Sequence, residues 1–266
     1  MQSFNYHTHT YRCGHADNRM QDEDYVKEFI KKGFKKIAFT DHAPQKEQID
    51  KRLYMRMEYS QLNEYIESIN ALKDKYKGSI DIETGFEIEF LPGQEKNLFE
   101  LKQLSDKLIL GQHFIYNEDN TGLKTIRIDI FNDEDLIKYA SYIKTAMEIK
   151  LPDIVAHPDL FMLSSTFFGK AEDEATKIIC KAAEESRIPL EINLAEAASH
   201  ISNPNNKIHY PCKEFWRIAS EYDINVVYGI DAHNKGQIEL YEKSMELVNK
   251  IIGSDVIEKL HFLDNF

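Results

Sequence analysis

The sequence predicts an α/β fold, a distorted (β/α)7 barrel of TIM-barrel type, and three observations carry that prediction. Seven short apolar runs alternate with stretches of helical period along the chain. The length, 266 residues, is one at which such barrels occur undivided. Nearly every apolar run ends in a side chain able to bind a metal, at the strand end where barrels keep their chemistry.

Taken in order, Phe4-Asn5-Tyr6 leads directly into His7-Thr8-His9. Residues i and i+2 of a strand share a face, so both imidazoles aim at one point. His15 follows Arg12-Cys13-Gly14, a loop-like stretch that can return it to the pair. Asp22 to Lys32 reads as a helix, with Tyr25, Val26, Phe29 and Ile30 on one face and Gly33 as its stop. Lys36 to Thr40 reads as a strand ending in Asp41-His42. A helix from Tyr59 to Lys77 precedes the strand Ile80 to Glu87. A short helix from Glu95 to Asp106 precedes the strand Lys107 to His113. The helix Asp133 to Ile149 is broken by Pro152 before the strand Asp153 to His157. The helix Glu172 to Ser186 is broken by Pro189 before the strand Leu190 to Asn193. The helix Lys213 to Glu221, the strand Asn225 to His233 and the helix Gln237 to Ile252 complete the pattern. Residues 1–266 read as a single domain.

Composition narrows the partners. The chain is 42% hydrophobic and 29% charged, with a formal net charge of −12. That charge argues against nucleic acid or an anionic membrane as the main partner, although bound metal ions would make a local positive site. Cys13, Cys180 and Cys212 are too few for a disulfide framework and fit a reducing cytoplasm. No signal segment and no apolar run of membrane-spanning length is present, so a cytoplasmic protein is expected.

The strand ends are the informative part. They carry His7 and His9, His42, Glu87, His113, His157, then Asp231 and His233, with His15 just beyond the first. The strand Leu190 to Asn193 is the exception. His113 or His157 alone would pass for a core histidine, and Glu83 or Glu89 could replace Glu87. Asp231-Ala232-His233 again puts two donors on one face. His200 and His209 fall in the loop after Asn193, where a barrel places substrate contacts, and His261 is expected at the surface. Cys13 lies between ligands and is assigned to the loop rather than to a metal. Imidazoles with a few carboxylates suit Zn, Fe or Mn. The donors are too many for one ion, so two to three divalent ions are expected, with a carboxylate such as Glu87 bridging two. Clustered ions generate hydroxide at neutral pH and neutralise an anionic substrate. A small phosphorylated substrate follows, since no second domain is present to hold a polymer.

His7-Thr8-His9-Thr10, Thr40-Asp41-His42, Gly85-Phe86-Glu87, Gly111-Gln112-His113, Ala156-His157-Pro158-Asp159 and Gly229-Ile230-Asp231-Ala232-His233 resemble, in order, the motifs of the PHP (polymerase and histidinol phosphatase) family. The resemblance implies a distorted seven-stranded barrel with three metals. The first would take His7, His9, Glu87 and Asp231; the second Glu87, His113 and His157; the third His15, His42 and His233. The short form and Cys13-Gly14-His15 are most similar to the histidinol-phosphatase branch. That similarity implies hydrolysis of L-histidinol phosphate by a metal-bridging hydroxide, with Glu87, Asp231 and His233 catalytic. Rival readings are a phosphoesterase for another phosphomonoester or nucleotides, an amidohydrolase-type barrel and a non-catalytic metal-binding protein. One departure stands out. The branch tends to carry an arginine in the loop after the strand Leu190 to Asn193, and here residues 194–211 contain none. Arg12, Arg19, His200, Lys207 and His209 are the expected substrate contacts in its place.

Overall fold

The computed structural model describes residues 2–45 and 55–264. The strands are β1 (Phe4–Asn5), β2 (Lys36–His42), β3 (Asp81–Ile88), β4 (Lys107–Leu110), β5 (Phe114–Tyr116), β6 (Leu123–Thr125), β7 (Ile154–Val155), β8 (Leu190–Asn193), β9 (Asn225–Gly229) and β10 (His261–Phe262). The helices are α1 (Asp22–Lys31), α2 (Leu62–Lys75), α3 (Glu95–Gln103), α4 (Asp133–Glu148), α5 (Lys170–Ser186), α6 (Ala195–Ser202), α7 (Lys213–Ala219), α8 (Lys235–Glu239), α9 (Tyr241–Ile252) and α10 (Ser254–Ile257).

Eight parallel strands form one curled sheet in the order β1-β2-β3-β4-β7-β8-β9-β10. The sheet curls until the stretch after β1 meets the stretch after β9. There Thr8 pairs with Ala232: His9 N donates to Ala232 O at 2.9 Å and Ala232 N donates to His7 O at 3.1 Å. This junction brings the first ligand motif against the last. Inside the curl, Phe4, Tyr6, Ala38, Ile109, Ile154, Ala156 and Val227 form a small apolar floor. The larger core lies outside the sheet, under the helices, where Phe39, Phe86, Leu110, Ile192 and Val226 meet Tyr65, Tyr139, Ile179 and Trp216. Each strand thus alternates between a helix-facing apolar side and an inner side, the period expected of a barrel. No described helix is long and apolar enough to cross a membrane.

Local chemistry accounts for the helix bounds. The Asn132 side chain accepts from Asp135 N at 2.9 Å while the Asp135 carboxylate accepts from Asn132 N at 3.0 Å, a reciprocal cap that starts α4. Asn234 caps α8 in the same manner, accepting from Gln237 N at 3.1 Å. Acidic residues Asp22, Glu23 and Asp24 open α1, where the helix dipole favours them, and Gly33 at φ 82° ends it.

Four departures from the sequence reading are informative. The strand expected over Lys107 to His113 stops at Leu110, and the chain then builds the antiparallel hairpin β5–β6. The loop expected after Asn193 contains α6, begun by Ala195 N donating to Asn193 Oδ1 at 2.9 Å. The helix expected over Gln237 to Ile252 is two, α8 and α9, meeting at Leu240. The sheet gains an eighth strand, β10, on β9.

Candidate metal centre

The ligand motif after β1 is not one continuous strand. Phe4 and Tyr6 belong to the inner floor, yet His7 and His9, of opposite parity, also reach inward. β1 ends at Asn5, and the phase slips before Thr8 pairs again. Two other ligand residues rely on unusual backbone. His157 has φ 29° and Asp231 has φ 53°, left-handed conformations that turn each side chain into the mouth as its strand ends. Such strain costs about 1–3 kcal/mol per residue and collects at functional sites.

The side chains meet closely. His7 Nε2 lies 3.1 Å from His9 Nε2, 3.6 Å from Glu87 Oε2 and 3.4 Å from Asp231 Oδ1. His9 Nε2 lies 3.4 Å from Glu87 Oε2 and 3.1 Å from Asp231 Oδ1. Four donors held at about 2.0–2.1 Å from a tetrahedral ion stand about 3.3 Å apart, so these spacings match the edges of such a polyhedron. Beside it, Glu87 Oε1 is 3.0 Å from His157 Nε2 and 3.8 Å from His113 Nε2. Towards solvent, His15 Nε2 is 2.8 Å from His233 Nε2, and the His42 ring lies 5.3 Å from that of His15. His42 also turns Nδ1 to 3.0 Å from Glu87 Oε2, so it stands between the outer and inner groups. All nine expected ligands are therefore brought together.

The polar bookkeeping fits metal ions. Glu87 Oε2, Asp231 Oδ1 and His113 Nε2 are buried without a hydrogen-bond partner. Each such atom costs about 1–3 kcal/mol unless something fills the gap. Imidazole nitrogens face one another at 3.1 Å in His7–His9 and at 2.8 Å in His15–His233, where at most one of each pair can donate. A cation between each pair would satisfy both nitrogens.

Carboxylates behind the ligands fix their orientation, and the sequence reading missed them. Glu191 Oε1 is 2.7 Å from His7 Nδ1, and its Oε2 accepts from His157 N at 2.9 Å and from Asn193 Nδ2 at 3.0 Å. Asn193 Nδ2 also lies 3.3 Å from Asp231 Oδ2. β8 supplies no ligand of its own, but it supplies the support for its neighbours' ligands. Inward parity of Glu191 with Asn193 was the available signal. Glu89 Oε1 is 2.9 Å from His113 Nδ1, so Glu89 orients His113 and does not replace Glu87. Glu83 lies at the floor end with Lys36, 2.6 Å away, and also does not replace it. Asp41 Oδ1 stands 3.5 Å from His9 Nδ1.

Two glycines make room for these acids. A Cβ on Gly111 would lie 1.7 Å from Glu87 Oε1, and one on Gly229 would lie 1.5 Å from Glu191 Oε1. Gly111 follows the end of β4 beside β3 and Gly229 ends β9 beside β8, so each carboxylate is accommodated only where a side chain is missing.

The expected substrate contacts fare differently. Arg12 is buried, and all five of its N–H donors are used: two on Glu64, two on Asp22 and one on Thr10 Oγ1. It therefore holds the first loop and has no donor left for a substrate. Arg19 is exposed and paired with Asp17 at 2.8 Å, on the rim of an open cleft of about 880 Å³ with His15 and His233 at its wall. His200 Nδ1 is tied to Asn206 O at 2.7 Å and His209 Nδ1 to Glu196 Oε1 at 3.1 Å. Lys207 is exposed beyond α6. Among the described residues none of these three hydrogen-bonds to a ligand. Instead Tyr210, buried, sets its ring 6.1 Å from that of His157. Cys13 lies beside His15 and His233 and also beside His9 and Asp41, closer to the centre than a plain loop role requires.

Burial and charge sort the protons. Burial opposes the His7 cation, but Asp231, Glu191 and Glu87 outweigh it and raise the pKa to about 10. Burial likewise opposes charge on His9, and Asp231 and Asp41 raise it well above the usual value. Burial and the neighbouring His9 charge hold His42 and His233 down, and burial, His157, Arg127 and Arg56 hold His113 down. Glu87 and Asp231 stay far below the usual range: burial opposes this, but the surrounding imidazoles prevail. Burial raises Glu89 to about 7 against the pull of Arg56.

Fold and site together define a barrel whose mouth gathers His, Asp and Glu side chains able to hold metal. Residues 5–195 match the PHP domain, and the chain belongs to the PHP family. It is 26% identical to the histidinol-phosphatase of Bacillus subtilis over 273 residues, covering 92% of this chain and 99% of the relative. It resembles the crystal structure of a candidate histidinol phosphatase from Listeria monocytogenes with TM-score 0.73 and 25% identity, over 88% of this chain and 97% of that one. It also resembles, with TM-score 0.68 and 17% identity over 98% and 95% of the two chains, a histidinol phosphate phosphatase from Lactococcus lactis solved with zinc, L-histidinol and phosphate.

Two outcomes are expected. Gly111→Ala should drive the Glu87 carboxylate aside, so the folded variant should lose at least one ion per chain and about 10- to 100-fold in kcat/KM. Elemental analysis and a turnover assay check this, and unchanged ion content would contradict the central place of Glu87. One proton shared between His7 Nε2 and His9 Nε2 must be shed when both nitrogens ligate. Zinc binding should then release at least about one proton per chain, and affinity should fall as pH falls. Calorimetry in buffers of different ionisation enthalpy reads the number; zero release would contradict the assignment.

Proposed function

We propose that the protein is a metal-dependent phosphomonoesterase that hydrolyses L-histidinol phosphate to L-histidinol and phosphate. The observation that carries the proposal is the shared carboxylate: Glu87 presents one oxygen to His7 and His9 and the other to His157 and His113. The first ion position is His7, His9, Glu87 and Asp231; the second is Glu87, His113 and His157; the third is His15, His42 and His233. Zn, Fe or Mn suits this donor set. When bound, such a cluster activates water and neutralises the oxygens of a phosphoester.

The chain's own residues do the rest. Glu191 holds His7 by Nδ1, which leaves Nε2 as its ligating atom. Glu89 does the same for His113. Asp231 Oδ1 touches His7, His9 and His233, so it couples the inner positions to the exposed one. His233 and His15 stand on the wall of the open cleft, where a small substrate can reach them. The names of the relatives support histidinol phosphate over other phosphomonoesters, and a cytoplasmic setting suits three buried free thiols.

The test is a panel. With metal-loaded protein, kcat/KM for L-histidinol phosphate should exceed that for sugar phosphates, other amino-alcohol phosphates and nucleotides by at least about 10-fold, about 1.4 kcal/mol in the transition state. Equal or faster turnover of an unrelated phosphoester would remove histidinol phosphate and leave the phosphoesterase in place.

A further inference from the structure

The candidate anion contacts named above are nearly all spent: Arg12 is saturated, Arg19 sits in an ion pair, and His200 and His209 are tied to their own loop. We propose that Arg127 grips the phosphate of the substrate over the second ion position, with Tyr210 across from it. The proposal rests on the phosphoesterase reading above and names the residue that gives the site its hold on the anion.

Geometry places Arg127 there. β4 ends at Leu110, and the hairpin β5–β6 returns the chain to the mouth, with Phe114 opposite Thr125. Ile126 N then donates to His113 O at 3.0 Å, which pins the residue before Arg127 to a ligand of the second position. The turn is closed by its own bonds: Thr125 O accepts from Ile128 N at 3.2 Å and from Asp129 N at 2.8 Å, and Asp129 Oδ2 accepts from Thr125 N at 2.8 Å. Arg127 follows on the exposed turn, and the His113 ring lies 5.0 Å from that of His157, against which Tyr210 packs at 6.1 Å.

Its pairing is also distinctive. Arg12, Arg19, Arg56, Arg187 and Arg217 each have a carboxylate partner within 3.5 Å. Among the described residues Arg127 alone has none, in a chain of net charge −12. Arg56, the other arginine near His113, is neutralised by Glu89. Arg127 is exposed, so water rather than a carboxylate solvates its charge and its side chain is free to turn towards an anion at the second ion position. A phosphate fits the guanidinium fork.

The test compares wild type, R127Q, R127K and R217Q as metal-loaded protein, with Arg217 an exposed arginine on α7. Calorimetry measures the affinity for inorganic phosphate, elemental analysis the ion content, and kinetics the KM for L-histidinol phosphate. R127Q is expected to weaken phosphate binding and raise KM by about 10- to 100-fold, with a smaller change in kcat and no loss of ions. R127K should fall between, since it keeps the charge and loses the fork. R217Q should match wild type. Phosphate affinity of R127Q within about 2-fold of wild type would overturn the proposal. So would a wild type that binds no phosphate, or loss of ions in R127Q, which would make Arg127 a support of the cluster. If wild type hydrolyses no histidinol phosphate, the substrate assignment falls, and the two phosphate affinities still decide the role of Arg127.

Discussion

Glu87 stands with both oxygens inside a shell of imidazoles and out of contact with solvent. A buried carboxylate is costly unless positive charge surrounds it. Here the charge comes from histidines that begin at opposite ends of the chain and from the ions they can hold. Much of the architecture serves that one requirement. The Thr8–Ala232 pairing brings the first and last motifs together. Gly111 leaves the space that the carboxylate fills, and left-handed backbone at His157 and Asp231 turns two more ligands inward.

A second layer of acids extends the same logic. Glu191 and Glu89 stand behind His7 and His113 and decide which nitrogen each presents, and Asp41 lies 3.5 Å from His9 Nδ1. These groups lie on β8, just after β3 and on β2, so the barrel wall carries orientation as well as ligation. Metal binding and folding are coupled through this layer, because each imidazole is already aimed before an ion arrives.

The gathering of the proposed ligands was legible in the sequence, because a strand end is a place in space: His42, Glu87, His113 and His157 could be brought together by counting strands alone. The branch-like Cys13-Gly14-His15 loop also returned His15 as expected. Other features depend on what parity and composition do not encode. The phase slip between Tyr6 and Thr8 is set by pairing with Ala232, a residue over two hundred positions away. Glu191 looked like an ordinary strand residue until its neighbours across the barrel were known. Arg12 looked available until α1 and α2 supplied Asp22 and Glu64. Arg127 owes its place to a hairpin that the apolar pattern did not announce.

The donor set also defines how charge balances at the mouth. Glu87, Glu89, Glu191 and Asp231 are all buried there, with Arg56 held against Glu89. The two or three divalent ions proposed above would turn this acidic mouth into a positive one that attracts phosphate. Metal content is therefore the most direct measurement. Elemental analysis of protein purified without chelator should find two to three transition-metal ions per chain, as the three ligand groups require. A folded, active sample holding less than about one ion per chain would contradict the account.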